Sequence, residues 1–290
     1  MSRHWITLAI VGLLLFVTPL ESTGQELGPA PLWPGSWVGP EAPAGEPAGG
    51  LVELLGTSVG PVDPHNREAS RLFYTMYYLA ADSAISWTGN RAACDAGTTS
   101  AGFRDAVLLR LNYFRAMGGA PASVTFSETY NAKAQKAALM MSVNGQLSHS
   151  PPTNWTCYSA DGAEAAGKSN LALGAYGRAA IDLYMKDPGT GNGAAGHRRW
   201  ILFPPTQVMG AGDIPSSGGS AAQALWVFDS TTWGPRPPTR EEFVSWPPPG
   251  FVPYQVTYPR WSFSYPQANF ASATVTMTQG GASVPVTVEL

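Results

Sequence analysis

The order of the hydrophobic periods along the chain constrains its fold more than any other feature. Helical patterns come first: in GFRDAVLLRLNYFRAMGG (102–119), apolar residues recur at helical spacing before a Gly-Gly stop. Strand-like patterns follow later, in QVMGAGD (207–213) and AQALWVFDS (222–230). Helices followed by strands predict an α+β fold rather than a parallel, doubly wound sheet.

Two further helices are predicted with defined ends. SETYNAKAQKAALMMSVNG begins at Ser127, a favourable N-cap residue, and stops at Gly145. GRAAIDLYMKD (177–187) is followed by Pro188, which disfavours continuation of a helix. After this point the period changes, and RRWILF (198–203) is expected to be a strand.

The N-terminal segment 1–24 has the three parts of a secretory signal peptide. Arg3 gives a positive start, residues 5–17 are apolar, and small residues at 22–24 offer a cleavage site before Gln25. The apolar stretch is shorter than the about 20 residues of a membrane-spanning helix; an N-terminal membrane anchor is the alternative. We therefore expect a protein secreted to the extracellular space or the cell envelope, with no integral membrane span after cleavage.

Composition divides the rest of the chain into three parts. Residues 25–66 are rich in Pro and Gly and bury too little side chain to offset the entropy of ordering, which indicates a linker. Residues 67–235 carry the patterns above and predict the main domain. Residues 240–290 alternate in RWSFSY (260–265) and SVPVTVE (283–289), which predicts a short C-terminal antiparallel β annex. An immunoglobulin-like sandwich needs about 100 residues, so this annex either packs on the main domain or is truncated.

Charge excludes one class of partner, and the cysteine content predicts a crosslink. The formal net charge is -3 and no run of Lys and Arg occurs, so nucleic acid is not an expected partner. Cys94 and Cys157 are the only two cysteines. An oxidising compartment favours a disulfide between them, and two free buried thiols are the alternative.

Two histidines are candidates for a functional site. His149 in QLSHSPP and His197 in GAAGHRRWIL each follow a glycine-containing loop at the end of a helix. If the two loops meet, the imidazoles share one cleft. Two neutral imidazoles suit zinc, but a stable site needs a third protein ligand, for which Glu164, Asp182 and Asp187 are candidates. The alternative is a pair of histidines that only form hydrogen bonds within a polar cleft.

Five segments in a fixed order give the chain a resemblance to a known family. RDAVLLRLNYFRAMGGAP, NAKAQKAALMMSVNGQLSHSPP, KSNLALG, AIDLYMKD and GHRRWIL resemble the CAP superfamily, which includes cysteine-rich secretory proteins, plant pathogenesis-related proteins and venom allergens. The resemblance covers roughly residues 100–215 and looks closest to a bacterial branch. It implies a CAP-like (SCP) domain with an α-β-α sandwich and a central cleft that holds two histidines and two acids.

The chain departs from this family pattern at the acidic positions. His149 and His197 match the two family histidines, whereas Ser169 stands in KSN where a glutamate is usual. Asp187 is the nearest match to the second acid. Loss of a carboxylate removes the most plausible general base and one charge that would hold a cation.

Three functional hypotheses follow. The first is a secreted, non-catalytic binding module, whose cleft of His149, Ser169, Asp187 and His197 holds a lipid, sterol, polymer or protein ligand. The second is a zinc-dependent hydrolase with the metal on His149 and His197. The third is a structural protein of the envelope or matrix that attaches through the linker and the β annex.

Overall fold

The computed structural model describes residues 59–289, together with residues 4–5 and Thr57. The predicted signal peptide therefore lies outside the described residues except for 4–5, and so does most of the predicted linker. Within the described part of the chain, no helix is long and apolar enough to cross a membrane.

The described residues form six α-helices and nine strands. The helices are α1 (Arg67–Phe73), α2 (Ala101–Met117), α3 (Glu128–Asn144), α4 (Ala160–Gly167), α5 (Gly177–Lys186) and α6 (Gly196–Ile201). The strands are β1 (His4–Trp5), β2 (Thr125–Phe126), β3 (Ser169–Leu173), β4 (Val208–Ile214), β5 (Ala222–Trp226), β6 (Val244–Trp246), β7 (Ser262–Ser264), β8 (Met277–Gln279) and β9 (Ala282–Val284). A π-helical turn, Tyr74–Tyr78, continues α1, and 3₁₀ turns lie at Thr190–Asn192 and Tyr254–Val256.

A four-stranded sheet with the order β2-β4-β5-β3 forms the middle layer. β2 runs parallel to β4, and the other two pairings are antiparallel. Because successive strand residues point to opposite faces, Leu171 and Ala224 join the core cluster under α3 and α4. Ala172 and Leu225 join the cluster under α2 and α5. Helices on both faces confirm the predicted α+β fold with an α-β-α sandwich.

On one face, α3 lies directly on β4 because two strand residues have no side chain. A Cβ added to Gly210 would come within 2.4 Å of Tyr130, and one added to Gly212 would come within 2.1 Å of the Ala134 and Gln135 backbone. Real Cβ atoms do not approach so closely. The GAG sequence of β4 therefore fixes the distance between helix and sheet.

The other face is aromatic. Phe73, Tyr78 and Phe114 surround Tyr113, with ring centroids 5.2 to 5.5 Å from its centroid. Burial of such rings dominates the energetics of a core of this size. This layer joins α1, the π-helical turn and α2 into one unit.

The predicted helix ends are confirmed. Ser127 caps α3 by accepting a hydrogen bond from Tyr130 N, and α3 ends at Gly145, whose φ of 63° is left-handed. α5 ends at Lys186, followed by Asp187 in the left-handed region and then Pro188. Ser127 and Gly145, which the sequence predicts at the two ends of this helix, therefore cap α3 in the structure.

The prediction of a strand at 198–203 is wrong, because most of this segment lies in α6. The Asp187 carboxylate accepts a hydrogen bond from the Arg198 backbone N–H at 3.3 Å, which satisfies one of the donors at the start of the helix. The buried Arg198 guanidinium then donates to the Met185 carbonyl oxygen at 2.6 Å. Contacts of Arg198 with Asp187 and Met185, more than ten positions earlier in the chain, thus favour a helix over a strand in this segment.

The C-terminal region contains the predicted antiparallel pairs. β6 pairs with β7, and β8 pairs with both β9 and β1. Trp246 is fully buried, lies 5.1 Å from the Phe114 ring and donates to the Val256 carbonyl oxygen. The part of the annex around Trp246 therefore packs on the main domain, as one of the two alternatives for the annex predicts. The domain boundaries at 67–235 and 240–290 stay predictions.

The predicted crosslink is confirmed, because Cys94 and Cys157 form a disulfide with an S–S distance of 2.04 Å. It joins the loop before α2 to the loop before α4. Within the described residues, neither cysteine is a free thiol.

Candidate functional site

His197 is held by a buried carboxylate. Its Nδ1 lies 2.8 Å from Oδ1 of Asp187, which is fully buried at the C-terminal end of α5. Because an ionised carboxylate only accepts hydrogen bonds, Nδ1 carries the proton and Nε2 of the neutral ring carries the lone pair. The ring also stacks on Tyr184, with the centroids 5.6 Å apart. The position and tautomer of His197 are therefore both fixed.

His149 is held by a backbone carbonyl. Its Nδ1 lies 2.8 Å from the carbonyl oxygen of Ala166 near the end of α4. A carbonyl oxygen only accepts, so Nδ1 of His149 also carries the proton and its neutral ring presents the Nε2 lone pair. His149 is exposed, whereas the His197 side chain is 22% exposed.

Both histidine loops contact the junction between α4 and β3. The His149 ring contacts Ala166, and the carbonyl oxygen of His197 accepts from Asn170 Nδ2 at 3.0 Å. Ser169 lies between them in the chain; it is buried and its Oγ has no hydrogen-bond partner among the described residues. The contacts join each loop to one short segment. That the two rings face a single cleft stays a prediction.

Tyr184 connects this junction to the sheet. Its hydroxyl lies 3.2 Å from the Asn170 carbonyl oxygen and 3.3 Å from the Gln223 carbonyl oxygen. Burial raises the pKa of the Tyr184 hydroxyl well above its usual range, so the group stays a neutral donor. The ring behind His197 is thus itself fixed to two strands.

The two other candidate acids contact different partners. Glu164 on α4 accepts from Lys133 Nζ at 2.5 Å and from Lys168 Nζ at 2.8 Å, and these ammonium groups lower the pKa of Glu164 to about 2. Asp182 pairs with Arg110 at 2.5 Å inside the α2–α5 layer. Both carboxylates are therefore already bound to cations of the protein.

These side chains do not fit a protein-bound zinc ion. Within the described residues, no three His, Cys, Asp or Glu side chains are grouped so that they could hold a metal ion. Both oxygens of the buried Asp187 accept hydrogen bonds, from His197 and from Arg198. Ser169 offers only a neutral hydroxyl where a third protein ligand, usually His, Cys, Asp or Glu, would be needed. We derive no chemical step through a metal.

Sequence reasoning missed Ala166 and Asn170. Ala166 acts through its backbone carbonyl, and an alanine side chain gives no signal of such a role. Asn170 was visible within KSN, but its contact with the His197 carbonyl depends on how α6 packs. The structure also places Tyr184 both in the core and against His197.

Comparison with known proteins supports the resemblance in the sequence. Residues 108–230 match the model of a family described as the cysteine-rich secretory protein family, CAP. The match spans α2 through β5 and includes both histidines, Ser169 and Asp187. No curated protein sequence gave a match.

Proposed function

With residues 108–230 forming a domain of the cysteine-rich secretory protein (CAP) family, we propose that this chain is a secreted binding module. In this proposal the region around His149, Ser169 and His197 binds an extracellular ligand and carries out no reaction. The alternatives of a zinc-dependent hydrolase and of a structural protein of the envelope or matrix are outcomes of the test below.

The observation that carries the proposal is how the two imidazoles are held. In each ring Nδ1 contacts a fixed acceptor, which leaves Nε2 for a ligand. Ser169 provides a hydroxyl rather than a carboxylate beside this segment, so one of the two acids that the family pattern implies is missing. The other, Asp187, is fully buried and hydrogen-bonded to His197, so neither position offers a free carboxylate for a reaction.

The disulfide supports an extracellular location. A bond between Cys94 and Cys157 persists in oxidising compartments and is rare in the cytosol. It agrees with the signal peptide predicted at residues 1–24. Secretion itself is part of the proposal.

The chemistry of the site favours ligands with hydroxyl or amide groups. Two imidazole acceptors recognise hydrogen-bond donors, and a sterol or an acyl chain offers few of these. Among the expected partners, we therefore favour a polymer or a protein over a lipid or sterol.

The proposal is tested with the full chain and two sets of variants. The H149A/H197A double variant should lose binding to an insoluble envelope polysaccharide fraction by about tenfold or more, since two hydrogen-bonding groups are removed. His65→Ala is the matched control, because His65 is exposed and contacts neither the α4–β3 junction nor the other histidines. Phosphatidylcholine vesicles with and without cholesterol test the lipid alternatives by co-sedimentation.

Three outcomes would contradict the proposal. Stoichiometric zinc in the purified protein that disappears in the double variant would favour the hydrolase. Retention on envelopes that depends on residues 240–290 and not on the histidines would favour the structural protein. Detection of an uncleaved N-terminal segment in the cytosol would contradict secretion.

A further inference from the structure

A groove of about 560 Å³ lies on the α3 side of the sandwich, and neither histidine lines it. The loop of residues 94–99 forms one wall, and residues 157–159 form the other. Asn131, Gln135 and Leu139 of α3, with Ala211 of β4, are among the residues that line it between the walls. Its volume is in the range of sites for small ligands.

Two amide side chains of α3 line this groove and differ in one respect. Gln135 uses both ends of its amide: Nε2 donates to the Ala96 and Asp213 carbonyl oxygens, and Oε1 accepts from Asp213 N. Asn131 uses only one end, because Oδ1 accepts from Ala211 N at 2.9 Å. Its Nδ2 is buried and has no hydrogen-bond partner among the described residues.

An unpartnered buried donor has a free-energy cost, so its occurrence calls for an explanation. Asn131 is 6% exposed and lines the groove. The Ala211 N–H fixes which end of the amide is Oδ1, so the Nδ2 donor faces away from that bond. A ligand acceptor at this position would remove the cost.

The charges of the lining favour an uncharged ligand. Two acidic residues, Asp95 and Glu128, and two basic residues, Arg104 and Lys136, line the groove. Arg104 lies 3.5 Å from Glu128, Lys136 pairs with Asp161 at 2.5 Å, and Asp95 accepts from Gly97 N at 3.0 Å. Since the charges balance and have internal partners, the groove offers no strong attraction to an ion.

Apolar groups complete the lining around the donor. Leu139 and Ala132 contribute aliphatic surface next to Asn131. A donor beside a small apolar surface matches a carbonyl oxygen with a methyl or methylene group attached. A secondary amide carries both features in a neutral group.

We propose that this groove is a second binding site, which takes a neutral ligand with a secondary amide and binds its carbonyl oxygen through Asn131 Nδ2. The Cys94–Cys157 disulfide joins the two walls of the groove. A peptide bond and an N-acetylated sugar share this chemistry. The site is independent of the proposed histidine site.

The test uses the oxidised full chain and three probes in NMR titrations. N-acetylalanine N′-methylamide represents peptides, N-acetylglucosamine represents acetylated sugars, and glucose lacks an amide. We expect at least one amide probe, and not glucose, to bind and to shift the side-chain Nδ2 resonance of Asn131. The probe that binds more tightly identifies the source of the ligand.

Two variants test the position. Ala132→Trp fills the groove from an exposed position and should weaken binding by about tenfold or more, whereas the exposed Ala271→Trp in the C-terminal region should change nothing. Asn131→Asp keeps the acceptor for Ala211 N and removes the donor, so it should abolish binding. The H149A/H197A variant should bind the amide probes normally, which separates this site from the proposed function.

The proposal is overturned if neither amide probe binds, or if binding leaves the Asn131 Nδ2 resonance unmoved. Normal binding by Ala132→Trp would also overturn it. Should Asn131→Asp fail to fold, the Ala132→Trp result and the resonance shift still decide the question.

Discussion

The two faces of the sheet are built by different means. The layer of α3 and α4 meets the sheet through small residues, with Gly210 and Gly212 under α3 and alanines across the contact. The layer of α2, α5 and α6 is aromatic and carries two fully buried arginines, Arg115 and Arg198. One face depends on close backbone approach, and the other depends on cations that bind carbonyl groups.

The buried arginines replace carboxylate partners with backbone oxygens. Arg115 donates to the carbonyl oxygens of Pro121, Ile201, Phe203 and Thr206, at 2.7 to 3.1 Å. Desolvation lowers the pKa of Arg115 to about 9, which still leaves the group charged at neutral pH. Polar groups are thus well satisfied around Arg115, although the same layer also holds buried atoms without a partner among the described residues, such as the Tyr113 hydroxyl.

The largest effect is expected from a methyl group on the close-packed face. Gly212→Ala places a Cβ 2.1 Å from the Ala134 and Gln135 backbone, so α3 must move off the sheet. We expect a loss of about 4 kcal/mol or more in the free energy of unfolding. Chemical denaturation measures it, with Gly191→Ala as control because nothing lies within 4 Å of that position. Equal stability of the two variants would show that α3 does not depend on this approach.

Removal of the Arg115 guanidinium should destabilise the layer formed by α2, α5 and α6. Arg115→Met keeps most of the aliphatic volume but leaves four carbonyl oxygens without their donor. We expect a loss of about 3 kcal/mol in the free energy of unfolding. Arg71→Met serves as control, because Arg71 is exposed and forms a surface ion pair with Glu68. A loss below that of the control variant would contradict the structural role of Arg115.

A substitution of Asp213 in β4, where the two layers meet, is expected to raise the free energy of unfolding, by less than the losses above. This buried carboxylate accepts from Gly177 N and Gln223 Nε2 at 2.6 Å, and its Oδ2 has no partner among the described residues. Desolvation raises the pKa of Asp213 to about 6. A raised carboxyl pKa makes the folded state bind the proton more tightly than the unfolded state. The free energy of unfolding therefore falls as the pH rises from about 4 to about 6.

Asp213→Asn removes this loss while it keeps the acceptor oxygen. The variant should exceed the wild type by about 2 to 3 kcal/mol in the free energy of unfolding at pH 7. The difference should vanish below about pH 4, where the wild-type carboxyl is protonated in both states. Denaturation of both proteins across this pH range measures it, and a difference that does not change with pH would contradict the assigned cause.

Local signals predicted much of the fold. Ser127 and Gly145 act within a few residues of the helix ends that they define, so the sequence alone located α3. By contrast, α4 was missed, because ADGAEAAG is short and contains two glycines of low helix propensity. Ion pairs from another helix, such as Lys133 with Glu164, hold α4 in place. The sequence also did not predict that KSNLALG forms mainly strand β3, since its partner β5 lies some 50 residues later.

In the candidate site, too, local signals identified some residues, whereas tertiary packing determines others. The sequence identified His149 and His197 because histidine is scarce and both follow glycine loops, and the cysteines because only two exist. It could not identify the Ala166 carbonyl or the unpartnered Asn131 donor, because both properties arise only from tertiary packing. Two polar residues of α2 are structural: Asn112 binds the Val124 backbone from both ends of its amide, and Arg115 binds four carbonyls.

The burial of Trp246 has a practical consequence for any shortened recombinant form of this protein. The family match ends at residue 230, yet Trp246, Val256 and Tyr258 complete the core beside Phe114. A fragment that ends at residue 230 would expose the Phe114 ring to water and would be prone to aggregate during expression. The shortest fragment worth producing therefore extends through residue 258.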